Sequence, residues 1–419
     1  MQQKDEGAAG DRGGHWLKGP VAAALAVMIV THVPVVMSSL TLPAMAPLAA
    51  ETLGLPARYV GLYTSVVYGV AVATSFLAPG LVVRFGPVRT SQGTLVFAAA
   101  GLLALAVGNV AAALLSAVVV GIAYAPGTPA SSRLLSGLTT EGRRSGVFSI
   151  KQTSVPAGGA AAGLLAPPLA LVFGWQGAAV ALALLCLAIA LAVQPWRESF
   201  DRDRVRGGRI VRVNPLGPVL MVWRSPRLRA LGLMAMAYAG AQFTFASVLV
   251  TFLVEQAGMR TVEAGAILSA ALVTSVAARI LWGYAAHRIA PNLVLAGLGV
   301  LAAGAFAVAL AATPEWPRAA LLGLGCWFGA VGFSWNGIFL ANAADAAEGK
   351  VAEATTGVMS YAFTGALATP VLFTWLAAKW DYGAGLIALI VLVLVAAAYV
   401  TVALRPAIRH GGANGERLP

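Results

Sequence analysis

The chain has 419 residues, of which 59% are hydrophobic and only 11% are charged, and its formal net charge is +12. This composition excludes an ordinary soluble domain, in which about a quarter of the residues are charged. It predicts a polytopic membrane protein, and because the basic residues are distributed by topology they do not indicate nucleic-acid binding.

Twelve apolar stretches predict an all-α membrane protein with twelve transmembrane helices, because each is near or above the ~20 residues needed to cross ~30 Å of hydrocarbon. They lie at residues 21–49, 59–82, 91–111, 113–135, 147–173, 176–194, 228–254, 262–286, 292–312, 318–343, 354–377 and 384–404. Asn109 is the predicted turn between the third and fourth stretches. The stretches form two six-helix halves (21–194 and 228–404), with a linker at 195–227 and tails at 1–20 and 405–419.

The basic residues predict the orientation of the chain. Of the 28 Lys and Arg residues, 23 lie on alternate loops or at the termini, nine of them between Arg197 and Arg229. By the positive-inside rule, both termini and the linker are predicted to be cytoplasmic. The first tail mixes acidic and basic residues before a long apolar run, which indicates an uncleaved span rather than a signal peptide.

The loops after the second and eighth stretches carry similar sequences. The first reads Pro79-Gly-Leu-Val-Val-Arg84-Phe-Gly86-Pro-Val-Arg89, and the second reads Gly283-Tyr-Ala-Ala-His287-Arg288-Ile-Ala-Pro. Both resemble the Gly-x-x-x-Asp-Arg-x-Gly-Arg-Arg/Lys signature of the major facilitator superfamily, although Val83 and His287 stand in place of the aspartate. The resemblance implies two pseudo-symmetric halves that transport by alternating access. It also implies a gating role for Arg84, Gly86, Arg89, Gly283 and Arg288.

Three patterns inside the stretches resemble elements of bacterial cyanate-type and organic-anion carriers of that superfamily. They are Lys151-Gln152-Thr-Ser-Val-Pro156, Ala278-Arg279-Ile-Leu-Trp282-Gly283 and Phe333-Ser-Trp335-Asn336-Gly337. Arg279 also resembles the arginine that binds the substrate carboxylate in monocarboxylate and oxalate carriers. The resemblance implies a secondary transporter of a small organic anion in a bacterial inner membrane, functional as a monomer.

Arg279 is a permanent cation in an apolar run, Ala264 to Ala286, that contains no Asp or Glu. An arginine near a helix centre costs about 2.5–3.5 kcal/mol to insert, so such residues usually face a protein interior or a watery cavity. We therefore expect Arg279 to bind the anion. Alternatively, it bonds backbone carbonyls of a neighbouring helix, or it snorkels to the membrane surface. Snorkelling is a long reach, because Arg288 lies roughly 13 Å further along the helix.

Other polar side chains in the spans are predicted to orient the substrate. They are Lys151 and Gln152 in the fifth span, Gln242 in the seventh, and Trp335 and Asn336 in the tenth. Each has the alternative role of bonding between helices, and for Lys151 the alternative is a snorkelling anchor at the cytoplasmic end of its span.

His32, near the middle of the first span, is the predicted proton-coupling residue, because histidine titrates near neutral pH. Alternatively, His32 is a second cation for the anion, or a neutral imidazole bonded to a neighbouring helix. The expected partners are thus an anionic substrate, protons and the lipid bilayer.

No catalytic set, metal-ligand cluster or phosphate-binding loop is visible, so the sequence predicts neither an enzyme nor a cofactor. Cys186 and Cys326 lie in apolar runs and do not indicate a disulfide framework. Two alternative functions stay open. The stretch from Gly158 to Pro168 loosely resembles the glycine–proline element of proton-coupled drug and metabolite exporters, and it also suits a packing surface. The other alternative is a membrane sensor that does not transport.

Overall fold

The computed structural model describes residues 19–205, 216–347 and 350–404. All of the regular structure in these residues is helical. The first half contains α1 (Pro20–Leu53), α2 (Val60–Ser75), α3 (Ala78–Phe85), α4 (Pro87–Ala106), α5 (Val110–Tyr124), α6 (Gly127–Leu138), α7 (Glu141–Gln152) and α8 (Ser154–Ala192). The linker carries the short helices α9 (Arg197–Phe200) and α10 (Leu216–Arg224). The second half contains α11 (Pro226–Glu255), α12 (Thr261–Arg288), α13 (Pro291–Ala309), α14 (Arg318–Gly332), α15 (Trp335–Asp345), α16 (Val351–Lys379) and α17 (Tyr382–Ala403).

These helices make twelve passes. Ten helical segments are long and apolar enough to cross a membrane, and α2 with α3, bent by 62°, makes an eleventh span. One of the ten, Gly146–Phe200, has 55 residues. That is roughly 80 Å of helix, more than twice the thickness of the hydrocarbon. It turns at Gly174, whose φ of 73° and ψ of 162° are not helical, and so crosses twice. The predicted twelve-helix fold is confirmed.

Local sequence explains where several helices break. Asn109 accepts a hydrogen bond from the Ala112 N–H at 2.9 Å and so caps α5, next to Gly108 with its φ of 81°. In the fifth span, α7 gives way to α8 at Thr153. Pro156 has no N–H to donate to the carbonyl of Gln152, which accounts for the interruption.

The two halves pack closely at the face opposite the linker. A Cβ on Gly163 of α8 would lie 2.5 Å from the carbonyl oxygen of Gly265 in α12. Nearby, the Ser269 hydroxyl donates to the Ala160 carbonyl at 2.7 Å. At the other seam, Arg58 before α2 donates to the carbonyl of Ala377 in α16 at 3.4 Å. We call this packing between α8 and α12 and between α2 and α16 the outer seam.

Toward the linker face, the helices pack chiefly within their own halves. In the first half, α6 contacts both α3 and α7, and these three helices also contact α1, α2, α4 and α8. In the second half, α15 contacts α11, α12, α13 and α16. Among the described residues, α3, α6, α7 and α15 therefore pack mainly within their own halves, whereas the outer seam joins the two halves.

Candidate functional site

Arg279 sits beside the break in the tenth span. Its Nε donates a hydrogen bond of 3.1 Å to the carbonyl of Phe333, which lies between α14 and α15. Carbonyls at the end of a helix have no partner within that helix, so the break supplies the acceptor. The side chain is partly exposed, and its two terminal nitrogens make no hydrogen bond to any described residue. The N–H of Nε is thus in use, and the four N–H groups of the two terminal nitrogens remain available.

Trp282, one turn further along α12, completes this contact. Its indole N–H donates to the Ala330 carbonyl at 3.0 Å, and the Ser334 hydroxyl donates to the same oxygen at 2.8 Å. Residues three apart on a helix lie on one face. The Arg-x-x-Trp spacing of α12 therefore matches two carbonyls, Ala330 and Phe333, that are also three residues apart. Together the two side chains hold the broken helix against α12.

Gln242 of α11 gathers the polar residues that follow the break. Its Oε1 accepts from the indole N–H of Trp335 at 3.0 Å and from Nδ2 of Asn336 at 3.3 Å. Trp335 is only 1% exposed and packs edge-on against Tyr238, with ring centroids 6.0 Å apart. Trp335 therefore fixes Gln242. The Gln242 amide nitrogen and the Asn336 amide oxygen make no hydrogen bond to a described residue and remain available to a ligand.

Four of the predicted site residues thus meet around the break in the tenth span. We call Gln242, Arg279, Trp335 and Asn336 the second-half cluster. It contains a cation, an amide donor and an amide acceptor, and the ion pairs of the described residues do not include its arginine. Such a set is suited to binding an anionic group by charge-assisted hydrogen bonds.

His32 lies in the interior of the first half. It is 4% exposed, and its Nδ1 is 2.8 Å from the hydroxyl oxygen of Ser154 at the start of α8. Its Nε2 is fully buried and has no partner among the described residues. A Cβ on Gly127 of α6 would lie 2.5 Å from the ring, so glycine is needed for the imidazole to fit.

Lys151 lies deeper than the sequence indicates. The helix begins at Glu141, ten residues earlier, which places Lys151 about 15 Å along it and away from the membrane surface. The residue is 1% exposed, and among the described residues its Nζ contacts the Oε1 of partly exposed Gln152, at 3.5 Å. Lys151 precedes by three residues Ser154, whose hydroxyl oxygen contacts His32. We call His32, Lys151 and Ser154 the first-half cluster.

Aromatic rings connect the two clusters across the interface. Tyr124 lies 6.2 Å from His32 between ring centroids, Tyr68 lies 5.3 Å from Tyr124, and Phe243 lies 4.2 Å from Tyr68. Phe243 directly follows Gln242. The two tyrosines cannot be assigned to the site from sequence, since a tyrosine in an apolar stretch gives no sign of which helix it faces.

The loop between α3 and α4 is held by a residue from the linker. The Asp201 carboxylate accepts hydrogen bonds from the N–H of Val88 at 2.7 Å, the N–H of Arg89 at 3.1 Å and Nη1 of Arg89 at 2.9 Å. Gly86 makes room, because a Cβ there would lie 2.5 Å from the carboxyl group, and its φ is 90°. Burial raises the pKa of Asp201 above its ordinary value, although the bonds from Val88 and Arg89 oppose that shift. Asp201 was missed by the sequence analysis; it supplies the acid that Val83 does not.

The remaining gating-loop residues make few contacts. Arg84 is exposed and stacks on the Phe85 ring at 5.4 Å, and Arg288 stacks on the Tyr284 ring at 4.7 Å. A Cβ on Gly283 would meet nothing within 4 Å. The first gating loop is therefore tied down and the second has no such tie among the described residues.

Comparisons with known proteins agree with this architecture. A family model described as Major Facilitator Superfamily matches residues 27–369. No curated protein sequence matches the chain. Similar solved structures include a bacterial homolog to the human lysosomal transporter Spinster. Its inward-facing occupied form has a TM-score of 0.71 at 15% identity, and its unoccupied form has 0.73 at 16%. Each comparison covers 92% of this chain and 97% of the other.

A POT family transporter in complex with 5-aminolevulinic acid is also similar, with a TM-score of 0.68 at 14% identity, covering 91% of this chain and 96% of that one. At these identities the likeness shows the fold alone.

Proposed function

Because the chain belongs to the Major Facilitator Superfamily, we propose that this multi-pass membrane transporter moves a small organic anion, a carboxylate, by alternating access. The family shows a secondary transporter, and the kind of substrate is what we propose. We also propose that the chain is related to cyanate-type and monocarboxylate carriers, lies in a bacterial inner membrane and functions as a monomer.

The observation that carries the proposal is the state of the Arg279 guanidinium. Nε is occupied by the Phe333 carbonyl, while both terminal nitrogens are without a described partner. These two nitrogens form a planar fork that matches the two oxygens of a carboxylate. The acidic residues of the described spans lie near helix ends: Glu51, Glu255, Glu263, Asp345 and Glu353. A bound anion is therefore the partner that neutralises Arg279 in mid-membrane.

The rest of the second-half cluster would orient that anion. The Gln242 amide nitrogen donates to an anion oxygen, and the Asn336 amide oxygen accepts from a hydroxyl or protonated group of the substrate. Trp335 acts through Gln242, whose Oε1 it holds at 3.0 Å. Gln152 is partly exposed in the first half and is the proposed contact from that side.

The first-half cluster is the proposed site of proton coupling. His32 and Lys151 are both buried, and the ion pairs of the described residues include neither of them. If His32 and Lys151 were both protonated, their two buried positive charges would repel each other strongly. The first-half cluster is therefore proposed to hold a single exchangeable proton. Symport of that proton with a monoanion is electroneutral. Lys151, predicted as a substrate ligand, would then act on the proton site.

The described conformation fits one step of the cycle. With the linker cytoplasmic, as the positive-inside rule predicts, the outer seam lies on the far face, which corresponds to a state of the transport cycle that is closed on that side. The glycines of the stretch 158–168 serve as close-packing points: a Cβ on Gly158 would lie 2.5 Å from Val36, and one on Gly159 would lie 2.5 Å from Leu272. Close packing is thus sufficient to explain the glycines of this stretch, and they do not by themselves indicate an exporter.

The test is uptake by purified protein in liposomes. An inward proton gradient is imposed, and labelled short carboxylates are compared with neutral and cationic amphiphiles of similar size. The proposal predicts saturable uptake and exchange of carboxylates. A protonophore should abolish uphill accumulation and leave exchange intact. Transport of the cationic amphiphiles alone would favour the exporter, and absence of exchange for every compound would favour the sensor.

A further inference from the structure

Helix α10 is anchored to the second half along one edge. Val222 is fully buried, and a Cβ on Gly232 of α11 would lie 3.0 Å from it. A Cβ on Gly357 of α16 would lie 2.6 Å from the same side chain. Two glycines thus form a seat for α10, and the helix is held in a fixed place beside the start of the seventh span at Pro226.

Another edge of α10 is apolar and exposed. Leu216, Leu220 and Trp223 are 64%, 48% and 54% exposed. Their spacing of four and three residues places them in one stripe on the helix. A stripe of this kind at the end of a membrane span lies at the level of the lipid headgroups.

Basic side chains flank the stripe. Arg224 and Arg227 are exposed, and the ion pairs of the described residues include neither. Arg229 stacks on the Trp223 ring at 5.5 Å and donates to the Trp223 carbonyl at 3.4 Å. The aromatic end of the stripe is therefore joined to a cationic patch.

We propose that α10 is an anionic-lipid site, in which Arg224 and Arg227 bind a lipid phosphate and the stripe of Leu216, Leu220 and Trp223 packs on its acyl chains. Charge complementarity selects an anionic headgroup, because basic residues next to a membrane surface attract anionic lipids. The apolar stripe selects a lipid over a soluble phosphate. Since α10 is seated on α11 and α16, the bound lipid stabilises the second half, whatever the transported substrate is.

The experiment uses the full chain in phosphatidylcholine nanodiscs with increasing fractions of phosphatidylglycerol. The variants are Arg224→Gln, Arg227→Gln and the pair together. The control is Arg202→Gln, which removes the same charge from an exposed site in the first part of the linker. The readout is Tm, recorded at low salt and at about 1 M salt, where the Debye length is only ~3 Å.

We expect the Tm of the unaltered protein to rise and saturate with phosphatidylglycerol at low salt, and the rise to shrink at high salt. The paired variant should lose about half of the rise or more, while Arg202→Gln keeps it. A paired variant that responds like the unaltered protein would overturn the proposal. So would an equal rise produced by inorganic phosphate in pure phosphatidylcholine, since the site would then be a phosphate site that needs no lipid.

Discussion

The Nε of Arg279 lies 3.1 Å from the carbonyl oxygen of Phe333, so the one permanent cation inside the described part of the eighth span is bound to the break in the tenth. The contact satisfies a carbonyl that has lost its helical partner, and it also fixes the plane of the guanidinium. A carbonyl contact and a substrate-binding role are therefore compatible, because they use different nitrogens of the same side chain.

The bonds around Gln242 predict an energetic coupling. Gln242→Leu leaves the buried indole N–H of Trp335 without an acceptor, which should destabilise the protein by about 1–3 kcal/mol. Trp335→Phe removes that donor, so the double variant should be less unstable than the sum of the two. Interhelical hydrogen bonds in membranes give coupling energies of about 0.6–1.7 kcal/mol. Reversible thermal unfolding in detergent measures all four proteins, and strict additivity would contradict the bond.

Asp201 is predicted to hold the start of α4. Asp201→Ala removes the acceptor for two backbone N–H groups, and loss of such a cap costs about 0.5–2 kcal/mol. Arg89→Gln should cost less, because both backbone bonds to the carboxylate persist. The matched control is Asp203→Ala, since the Asp203 side chain is exposed and only its backbone carbonyl accepts a bond, from Arg133. Equal Tm values for the Asp201 and Asp203 variants would refute the capping role.

The close approach of Gly163 and Gly265 predicts a conformational effect. Gly163→Val adds a branched side chain where even a Cβ would lie 2.5 Å from the Gly265 carbonyl oxygen, so the outer seam should open. Spin labels at Leu55 and Trp380, both exposed on that face, report the separation of the halves in a cysteine-free background. The variant should shift the distance distribution to longer values. Gly93→Ala, at a position with nothing within 4 Å, is the control and should leave the distribution unchanged.

His32 is predicted to separate coupling from binding. His32→Asn keeps a polar atom near the Ser154 hydroxyl and removes the titratable ring, so substrate exchange should persist while uptake driven by a proton gradient is lost. Counterflow and gradient-driven uptake in the same liposomes measure the two activities. Gradient-driven accumulation at the unaltered rate would show that the coupling proton binds elsewhere.

Much of the fold follows from local sequence. Apolar length predicts the spans, the turn at Asn109 lies two residues before the end of the third stretch, and Gly174 lies between the fifth and sixth stretches. The depth of Lys151 does not follow from hydropathy, because the apolar stretch begins at residue 147, whereas α7 begins at Glu141. A helix can extend past its apolar part into the headgroup region, and hydropathy does not show that extension.

The site depends on contacts that sequence spacing cannot show. Asp201 meets Arg89 across 112 positions, and Trp335 meets Gln242 across 93. The residue types suited to a cavity were visible in the sequence. Helix rotation decides which of them can contact a substrate and which support a neighbouring side chain. Trp335 is an example of the second kind, because it is almost fully buried.

The most direct test of the central proposal is ligand-induced stabilisation of purified protein by a panel of small carboxylates, with Arg279→Gln and Arg279→Lys measured in parallel. A ligand at about 100 times its Kd stabilises a protein by roughly 2.7 kcal/mol if it binds only the folded state. We predict that particular carboxylates raise the Tm of the unaltered protein, that Arg279→Gln abolishes the shift, and that Arg279→Lys fails to restore it. Shifts of equal size in all three proteins would contradict the proposal and leave Arg279 as a support for the broken helix alone.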